Sequence, residues 1–525
     1  MNDKTYYFEE ILDLKKDFYG NMIFTEHVAL LGNDIKLILP ELFLATSILS
    51  LILYSVNLST NSKYNYPLTN FSVSWLSLLA LILTFLLERN NVIIIPNIIN
   101  NILVYDDLAS VVKSIVLLVA ISYLLVSQTY INNSKLNAFE YYLLILSAIV
   151  GLLLLISAFD LILTYLAIEM QSLSFYVLAA FKRNSAFSTE AGLKYFILGA
   201  FSSSLILFGS SLIYGFTGTT NFGNLSSILI GVDNNLNLVE GIDALKVSMI
   251  FLGVGLLFKL GAAPFHMWLP DIYEGAPSSS SALFATLPKI AIFVVFARLF
   301  QFSFNNLIES WQQFIVFSAV FSLIIGSFVA LKQRKIKRLF AYSGISHVGY
   351  LLIAFATGTI ESHQALFFYL YIYMITSIVI WALIMCVELQ CSKTSSNRNL
   401  SDLSFLANSN STLSFTFVII LFSLGGVPPL AGFYAKMQVF LAAINSSMYA
   451  LTLLGILLSI ISTFYYIRTI KTIYFEKSLF WSFYKPICQS KSIILGLHLF
   501  SVGLLFLNPN LSNLLAYKTV TSLFL

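Results

Sequence analysis

Four charged residues stand inside stretches of this sequence that are otherwise almost wholly apolar. Glu169 lies in LILTYLAIEMQSLSFYVLAA, Lys259 in VSMIFLGVGLLFKLGAAPFHMWLP, Lys289 directly after Pro288 in ALFATLPKIAIFVVFARLF, and Lys436 in LFSLGGVPPLAGFYAKMQVFLAAI. A charged group at the centre of a bilayer costs about 2.5–3.5 kcal/mol on insertion scales, so several in one chain need a reason. Desolvation disfavours the ammonium form of a lysine, and a nearby carboxylate favours it. A lysine held between these pressures can load and release a proton when its partner moves. That is proton-relay chemistry, and it needs no cofactor. A static ion pair would account for one such couple, but not for one clear carboxylate against at least three lysines. Lys194, in TEAGLKYFILGAF, lies nearer a helix end and is partly explained as an interfacial lysine that snorkels.

Two histidines join the candidates. His266 lies in GAAPFHMWLPD and His347 in YSGISHVGY. An imidazole near neutral pKa suits proton transfer, although a hydrogen-bonded packing role is the ordinary fate of a lone histidine. His27, His363 and His498 read as interfacial or peripheral. The run Ser278–Ser281 can hold water along a route, but serine is equally at home between tightly packed membrane helices.

The elements that must position these groups are membrane spans. The chain has 525 residues, 58% hydrophobic and 10% charged, with a mean hydropathy of +0.84. A soluble domain carries about 25% charged residues. At ~20 residues per crossing, about fourteen apolar runs are long enough, near 35–57, 71–88, 108–131, 139–158, 160–181, 191–216, 245–271, 276–300, 311–331, 338–357, 364–388, 413–445, 448–475 and 491–508. Asp160 opens the fifth run, and nine residues at 1.5 Å each put Glu169 roughly 13 Å inside it. The seventh and twelfth runs are interrupted, one by Gly261, Pro264 and Pro270, the other by Gly425, Gly426, Pro428, Pro429 and Gly432. Proline removes a backbone donor and glycine weakens the helix. Such breaks are tolerated in a bilayer where the freed backbone faces protein or a water-filled cavity. Broken helices five spans apart, each with a lysine within one or two turns of the break, fit the inverted-repeat plan of secondary transporters.

Lysine and arginine are distributed unevenly between the connections. Loops after odd-numbered spans hold Lys63, Lys135, Lys182, Arg183, the cluster Lys332 to Arg338, Lys393, Arg398, Lys477 and Lys485. Loops after even-numbered spans hold essentially Arg89, with Glu309, Glu361 and the acidic segment 217–244. The odd loops are therefore expected on the negative side, and the N-terminal tail opposite. That tail, residues 1–34, is acidic, with seven carboxylates against three lysines, and is expected to lack the features of a signal peptide. The net charge of +4 is spread over many loops, so nothing points to nucleic acid. Cys386, Cys391 and Cys488 form neither a disulfide framework nor a CxxC pair. GVGLL at 253–257 is only a fragment of a dinucleotide fingerprint, with no preceding strand.

At the level of motifs, FKLGAAPFHMWLPDIYEGAPSSSSALFATLPKIA and RLFAYSGISHVGYLL resemble the antiporter-like subunits of respiratory complex I and the related Mrp cation/proton antiporters. The stretch from Ile168 to Phe222 narrows the resemblance to the subunit 2 branch of that family, in its mitochondrial form, and GGVPPLAGFYAKMQVF is a further match. The likeness runs from about residue 36 to 475. It leaves out the tail, and the Asn- and Ile-rich loop near 89–101 departs from the family pattern.

The resemblance implies an all-α polytopic fold of fourteen helices with two inverted five-helix repeats, broken at helices 7 and 12. The implied divisions are the acidic extension 1–34, helices 1–3 over 35–138, repeat one over 139–300, repeat two over 301–475, and a C-terminal loop and helix 14 over 476–525. It implies that Glu169 pairs with Lys259, that Lys289 is a connecting relay position, that Lys436 serves the far half-channel, and that Lys194 is the secondary lysine of the sixth span. His266 and His347 are implied to lie beside a hydrated axis. The implied partners are neighbouring antiporter-like and other membrane-arm subunits, together with membrane lipids. NADH, FMN, iron–sulfur clusters and ubiquinone are implied to belong to other subunits, with none bound by this chain. The implied location is the mitochondrial inner membrane, with the N-terminus on the intermembrane-space side. Two rival functions are a stand-alone Mrp-type cation/proton antiporter and a structural membrane subunit that no longer pumps. Retention of Glu169, Lys259, Lys289 and Lys436 argues against the second, and the subunit-2-like segment against the first.

Overall fold

The chain is described by a computed structural model over residues 35–58, 69–91, 97–98, 101–134, 136, 138–232, 239–387, 399–404, 406–476 and 487–524. The acidic tail, Lys63, Lys135, Cys391, Lys393, Arg398, Lys477, Lys485 and His27 lie outside these residues.

Among the described residues, twelve helices are long and apolar enough to cross a membrane. They begin with α1 (Ile35–Leu58), α2 (Asn70–Asn90), α3 (Asp107–Asn133), α4 (Glu140–Ser157), α5 (Leu161–Ala180) and α6 (Ala186–Thr217). After a short helix α7 (Phe222–Val232) comes the first split span, α8 (Val239–Leu260) and α9 (Trp268–Gly275). Then follow α10 (Ser278–Phe296), α11 (Ile308–Lys332), α12 (Ile336–Ala356) and α13 (Ile360–Cys386). A single turn, α14 (Leu406–Ser409), precedes the second split span, α15 (Ser411–Gly425) and α16 (Ala431–Asn445). The chain closes with α17 (Tyr449–Tyr474), α18 (Gln489–Leu507) and α19 (Asn510–Phe524). Twelve unbroken spans and two split ones match the crossings counted from the sequence.

Three features depart from that reading. Helix α7 occupies part of a segment read as a plain acidic loop. The C-terminal region holds two helices rather than one: after Pro509 the chain turns back as α19, which docks on α3 through Lys518 to Asp107 (3.1 Å) and the Ser522 hydroxyl accepting from the Leu108 amide (3.0 Å). The Asn- and Ile-rich loop carries a two-residue antiparallel ladder, β1 (Asn97–Ile98) with β2 (Leu103–Val104), pairing Asn97 with Val104.

Helix α10 is buried along its whole length, and α12 and α13 nearly so, whereas α1, α6 and α18 turn much of their surface outward. A helix that is apolar all round and covered on every face is a core helix. The three core helices carry Lys289, His347 and a run of tyrosines. Helices of the bundle approach one another closely where small residues stand at the crossings. A Cβ on Gly326 of α11 would lie 2.7 Å from the Ser346 amide of α12, and one on Gly209 of α6 would lie 2.8 Å from the Leu252 amide of α8. Without a hydrophobic drive between helices in lipid, such close packing is what holds a bundle together.

Both breaks are built alike. Gly261 has φ +73°, its amide bonds the Phe258 carbonyl (2.9 Å), and the Ala262 amide bonds Leu257 (3.0 Å). Gly426 has φ +82°, with its amide on Ser423 (3.1 Å) and the Val427 amide on Phe422 (3.0 Å). Each is a Schellman ending, in which a left-handed glycine closes the helix and prolines follow just beyond it. The half-helices therefore end by glycine capping, and Pro264, Pro428 and Pro429 lie outside them. Pro270 sits in the first turn of α9, where no donor is lost. Pro288 is the one genuinely internal proline among these, inside α10 and next to Lys289.

Candidate functional site

The last turn of α8 holds Lys259, so its ammonium stands at the C-terminal end of a half-helix. Lys436 reaches the equivalent end of α15 from the neighbouring half-helix α16. It donates to the carbonyls of Leu424 (2.9 Å) and Gly425 (2.8 Å) and lies over the Tyr350 ring at 5.1 Å. Unsatisfied carbonyls and the negative end of the helix dipole both favour a cation there. Glycine is also required sterically, since a Cβ at Gly426 would come within 2.9 Å of the Lys436 side chain.

Lys289 is 2% exposed in the middle of the core. It donates to the Tyr373 hydroxyl at 2.5 Å, sits 4.5 Å from that ring's centroid and contacts the Gly344 carbonyl at 3.4 Å. Among the described residues, no carboxylate lies within ion-pair distance of it. His347 packs against the same Tyr373 ring, with ring centroids 5.5 Å apart. Its Nδ1 meets the Tyr369 hydroxyl at 2.7 Å and its Nε2 the Tyr466 hydroxyl at 3.2 Å. Tyr369 and Tyr373 are four residues apart on α13, which puts both on one face of that helix.

Two small cavities complete the row. The first, about 20 Å³ measured by the centre of a water molecule, is lined by Lys259 and Lys289 together with Ser172, Gln171, Tyr195 and Trp268. The second, about 10 Å³, is lined by His347, Tyr369, Tyr373, Thr376, Ser423 and Lys436. Each has a few polar side chains in a largely apolar lining and is near the size that accommodates one water. The structure thus brings Lys259, Lys289, His347 and Lys436 into one line across the bundle, joined by hydroxyls and water-sized gaps.

Glu169 stands at the head of this line. No ion pair within 4 Å joins it to Lys259, although the two are close enough to interact electrostatically. Its Oε2 accepts from Ser172 (3.4 Å), which lines the first cavity, and its buried Oε1 has no partner. Lys259 instead contacts the Tyr176 hydroxyl at 3.3 Å. The carboxylate and the ammonium are linked through Ser172 and the cavity. Glu169 also borders the outward stripe of Leu166, Met170 and Leu173.

The remaining candidates are placed differently. Lys194 lies outside the row, 43% exposed, in ion pairs with Glu190 (2.7 Å) and Asp271 (3.2 Å). Asp271 is shared with Arg338 (3.0 Å), which also reaches Glu274 (3.2 Å), and Glu274 pairs with Lys335. This ionic latch ties α6 and α9 to the start of α12. His266 is buried in the first break with an unpartnered Nδ1, and lines neither cavity. His363, read as peripheral, is fully buried between Phe355 and Phe524, because α19 folds back over it. The serine run is packing: Ser279 bonds Tyr141 (2.7 Å), and Ser280 and Ser281 bond backbone carbonyls.

Sequence reasoning missed several groups. Tyr373, Tyr369, Tyr350 and Tyr466 carry the connections around His347, and the alternation YLYIY inside α13 was the available signal. It also undercounted buried charge. Glu41, Glu88, Lys113 and Arg298 are all buried, with Lys113 on Glu41 at 2.5 Å and Arg298 on Asp106 at 2.8 Å. These residues lie one or two turns from span ends, where charge is ordinarily dismissed as interfacial.

Residues 158–462, which hold the whole row, match the family described as NADH:quinone oxidoreductase/Mrp antiporter, transmembrane. Chain 2 of NADH-ubiquinone oxidoreductase from Marchantia polymorpha is 43% identical over 479 residues, 91% of this chain and 96% of that one. The chain belongs to this family. A chain of respiratory complex I from Thermus thermophilus has the same fold, with a TM-score of 0.74, 27% identity and coverage of 91% of this chain and 99% of that one. A chain of the Mrp complex from a Dietzia species superposes with a TM-score of 0.75 at 18% identity, over 94% of this chain and 97% of that one, a likeness of fold alone. Sequence similarity of the stronger kind therefore lies with the oxidoreductase subunits, which places this family member on the chain 2 branch rather than among stand-alone antiporters.

Proposed function

We propose that this chain is a proton-translocating membrane-arm subunit of respiratory complex I, an oxidoreductase whose electron transfer from NADH to ubiquinone runs through other subunits. The observation that carries the mechanism is the line from Lys289 through Tyr373 to His347, with a lysine across a water-sized cavity at each end. In this reading Glu169 and Lys259 exchange a proton through Ser172 and the first cavity. Lys289 passes it by way of the Tyr373 and His347 contacts, and Lys436 releases it at the end of α15.

The order of elements supports two related halves. Three unbroken spans, a split span and one further span occur in α4–α10, and again in α11–α17. We divide the chain accordingly at 139–300 and 301–475, with 35–138 and 476–525 flanking. The stripe beside Glu169 is where the helices of a neighbouring membrane-arm subunit fit, and lipid covers the other outward apolar faces. FMN, iron–sulfur clusters, NADH and ubiquinone are assigned to the rest of the complex. The charge asymmetry and the likeness to an NADH-ubiquinone oxidoreductase chain 2 support a place in the inner mitochondrial membrane, with the basic loops in the matrix. Lys194 and His266 support the row from outside it.

The test is Lys259→Met in the assembled complex. The expected result is normal assembly with lowered pumping-coupled turnover; unchanged oxidoreductase activity and pumping would sink the reading.

A further inference from the structure

A second set of buried ionisable groups lies away from the row, in the first three helices. Glu41 of α1, Glu88 of α2, Tyr105 ahead of α3 and Lys113 of α3 are 4%, 3%, 1% and 2% exposed. Lys113 binds Glu41 Oε1 at 2.5 Å and stands over the Tyr105 ring at 5.1 Å. The Tyr105 hydroxyl bonds Glu88 Oε1 at 2.8 Å. The four side chains are thus one connected cluster. The second oxygens of both carboxylates, Glu41 Oε2 and Glu88 Oε2, are buried with no partner.

The charges do not balance. Two carboxylates face one ammonium, and among the described residues the further charge acting on Glu88 is Arg89, exposed on its own helix and stacked over Phe85 at 5.6 Å. A buried, unpaired carboxylate is expensive, and a site with an excess of one such charge is neutralised by taking up a proton. Geometry says which carboxylate takes it. Glu41 has the lysine in contact, whereas Glu88 has only a phenol.

We propose that Glu41, Glu88, Tyr105 and Lys113 form a second proton-holding site, separate from the lysine row, in which Glu88 carries an exchangeable proton. Glu88 is two residues from the end of α2, beside the exposed Arg89 and Asn90, so the proton's exit to water lies at that end of the helix. The step is a simple exchange. The Glu88 carboxylic acid gives its proton to water and becomes a carboxylate, and the site goes from neutral to a net charge of minus one. The reverse step reloads it. Lys113 stays in contact with Glu41, and Tyr105 keeps its hydrogen bond to Glu88 in both states by donating to the carboxylate or accepting from the acid.

The test is infrared difference spectroscopy of the carboxylic acid C=O stretch in the whole complex, resting and turning over NADH. One band, sensitive to deuterium and changing with turnover, is expected to disappear in Glu88→Gln and persist in Glu41→Gln. Tyr105→Phe is expected to shift the band without removing it, which covers the case in which Glu88→Gln fails to assemble. Lys113→Met is expected to add a second acid band, from Glu41. Lys289→Met is expected to leave the resting band in place, so failure of the row and failure of this site are distinguishable. A spectrum in which Glu88→Gln and Tyr105→Phe leave every acid band unchanged would overturn the proposal. So would a Glu88 band identical at rest and in turnover.

Discussion

Lys289 and Tyr373 form the tightest contact in the row, with ammonium and hydroxyl 2.5 Å apart and the same ring packed against His347. The lysine has no direct contact with the imidazole, so whatever passes between them passes at this phenol. A hydrogen bond to a charged group contributes about 1.5–3 kcal/mol, so Tyr373→Phe is expected to slow coupled turnover on the order of tenfold while the complex still assembles. Pumping into vesicles, measured alongside quinone reduction, checks this; an assembled variant with wild-type coupling would remove Tyr373 from the route.

Gly426 serves two masters. Its φ of +82° closes α15, and its missing Cβ leaves space for Lys436. Gly426→Ala is expected to destabilise the subunit by about 1–2 kcal/mol from the left-handed backbone alone. It also displaces the ammonium from the Leu424 and Gly425 carbonyls. Thermal melting of the membrane arm and pumping should fall together, whereas alanine at the half-buried Gly503 of α18, where nothing lies within 4 Å of an added Cβ, should change neither.

Gly326 acts on the site from a distance. A Cβ there collides with the backbone of Ser346, the residue before His347. Gly326→Val is expected to push α12 away from α11, lower assembly, and loosen the His347 contacts to Tyr369 and Tyr466. Blue-native electrophoresis would register the first effect. The rate of coupled turnover in the assembled fraction would register the second.

Asp271 is the shared anion of the latch. Asp271→Asn is expected to free Lys194 and weaken Arg338, costing little stability, because partly exposed ion pairs contribute about 0–1 kcal/mol. If the latch only staples helices, turnover should stay near normal. A large loss of coupling with intact assembly would instead bring Lys194 into the relay.

Much of this was legible beforehand because membrane burial makes charge conspicuous. Lys259, Lys289 and Lys436 stood out against apolar sequence, and the structure places all three in one row with His347. The two breaks were legible for the same reason, since glycine and proline are costly in a helix, although the endings prove to be glycine caps rather than proline kinks. The tyrosines were not legible. A phenol is ordinary in an apolar span, and only the packing of α10, α12 and α13 turns Tyr373 and Tyr369 toward His347. The missing Glu169–Lys259 contact was not legible either, because residue types fix which charges coexist, not whether a serine and a cavity stand between them. The Glu41–Lys113 pair escaped because its members sit near span ends, and its burial depends on how three separate helices meet.

The row from Lys289 to Lys436 contains cations, a histidine and phenols, but no anion among the contacts described. Every charge placed on one station therefore raises the electrostatic cost of charging the next. In the relay proposed above, such a line cannot fill like a wire conducting many carriers at once. It favours alternate occupancy, with each station emptied before its neighbour is taken, so that the traffic is metered one carrier at a time by mutual repulsion.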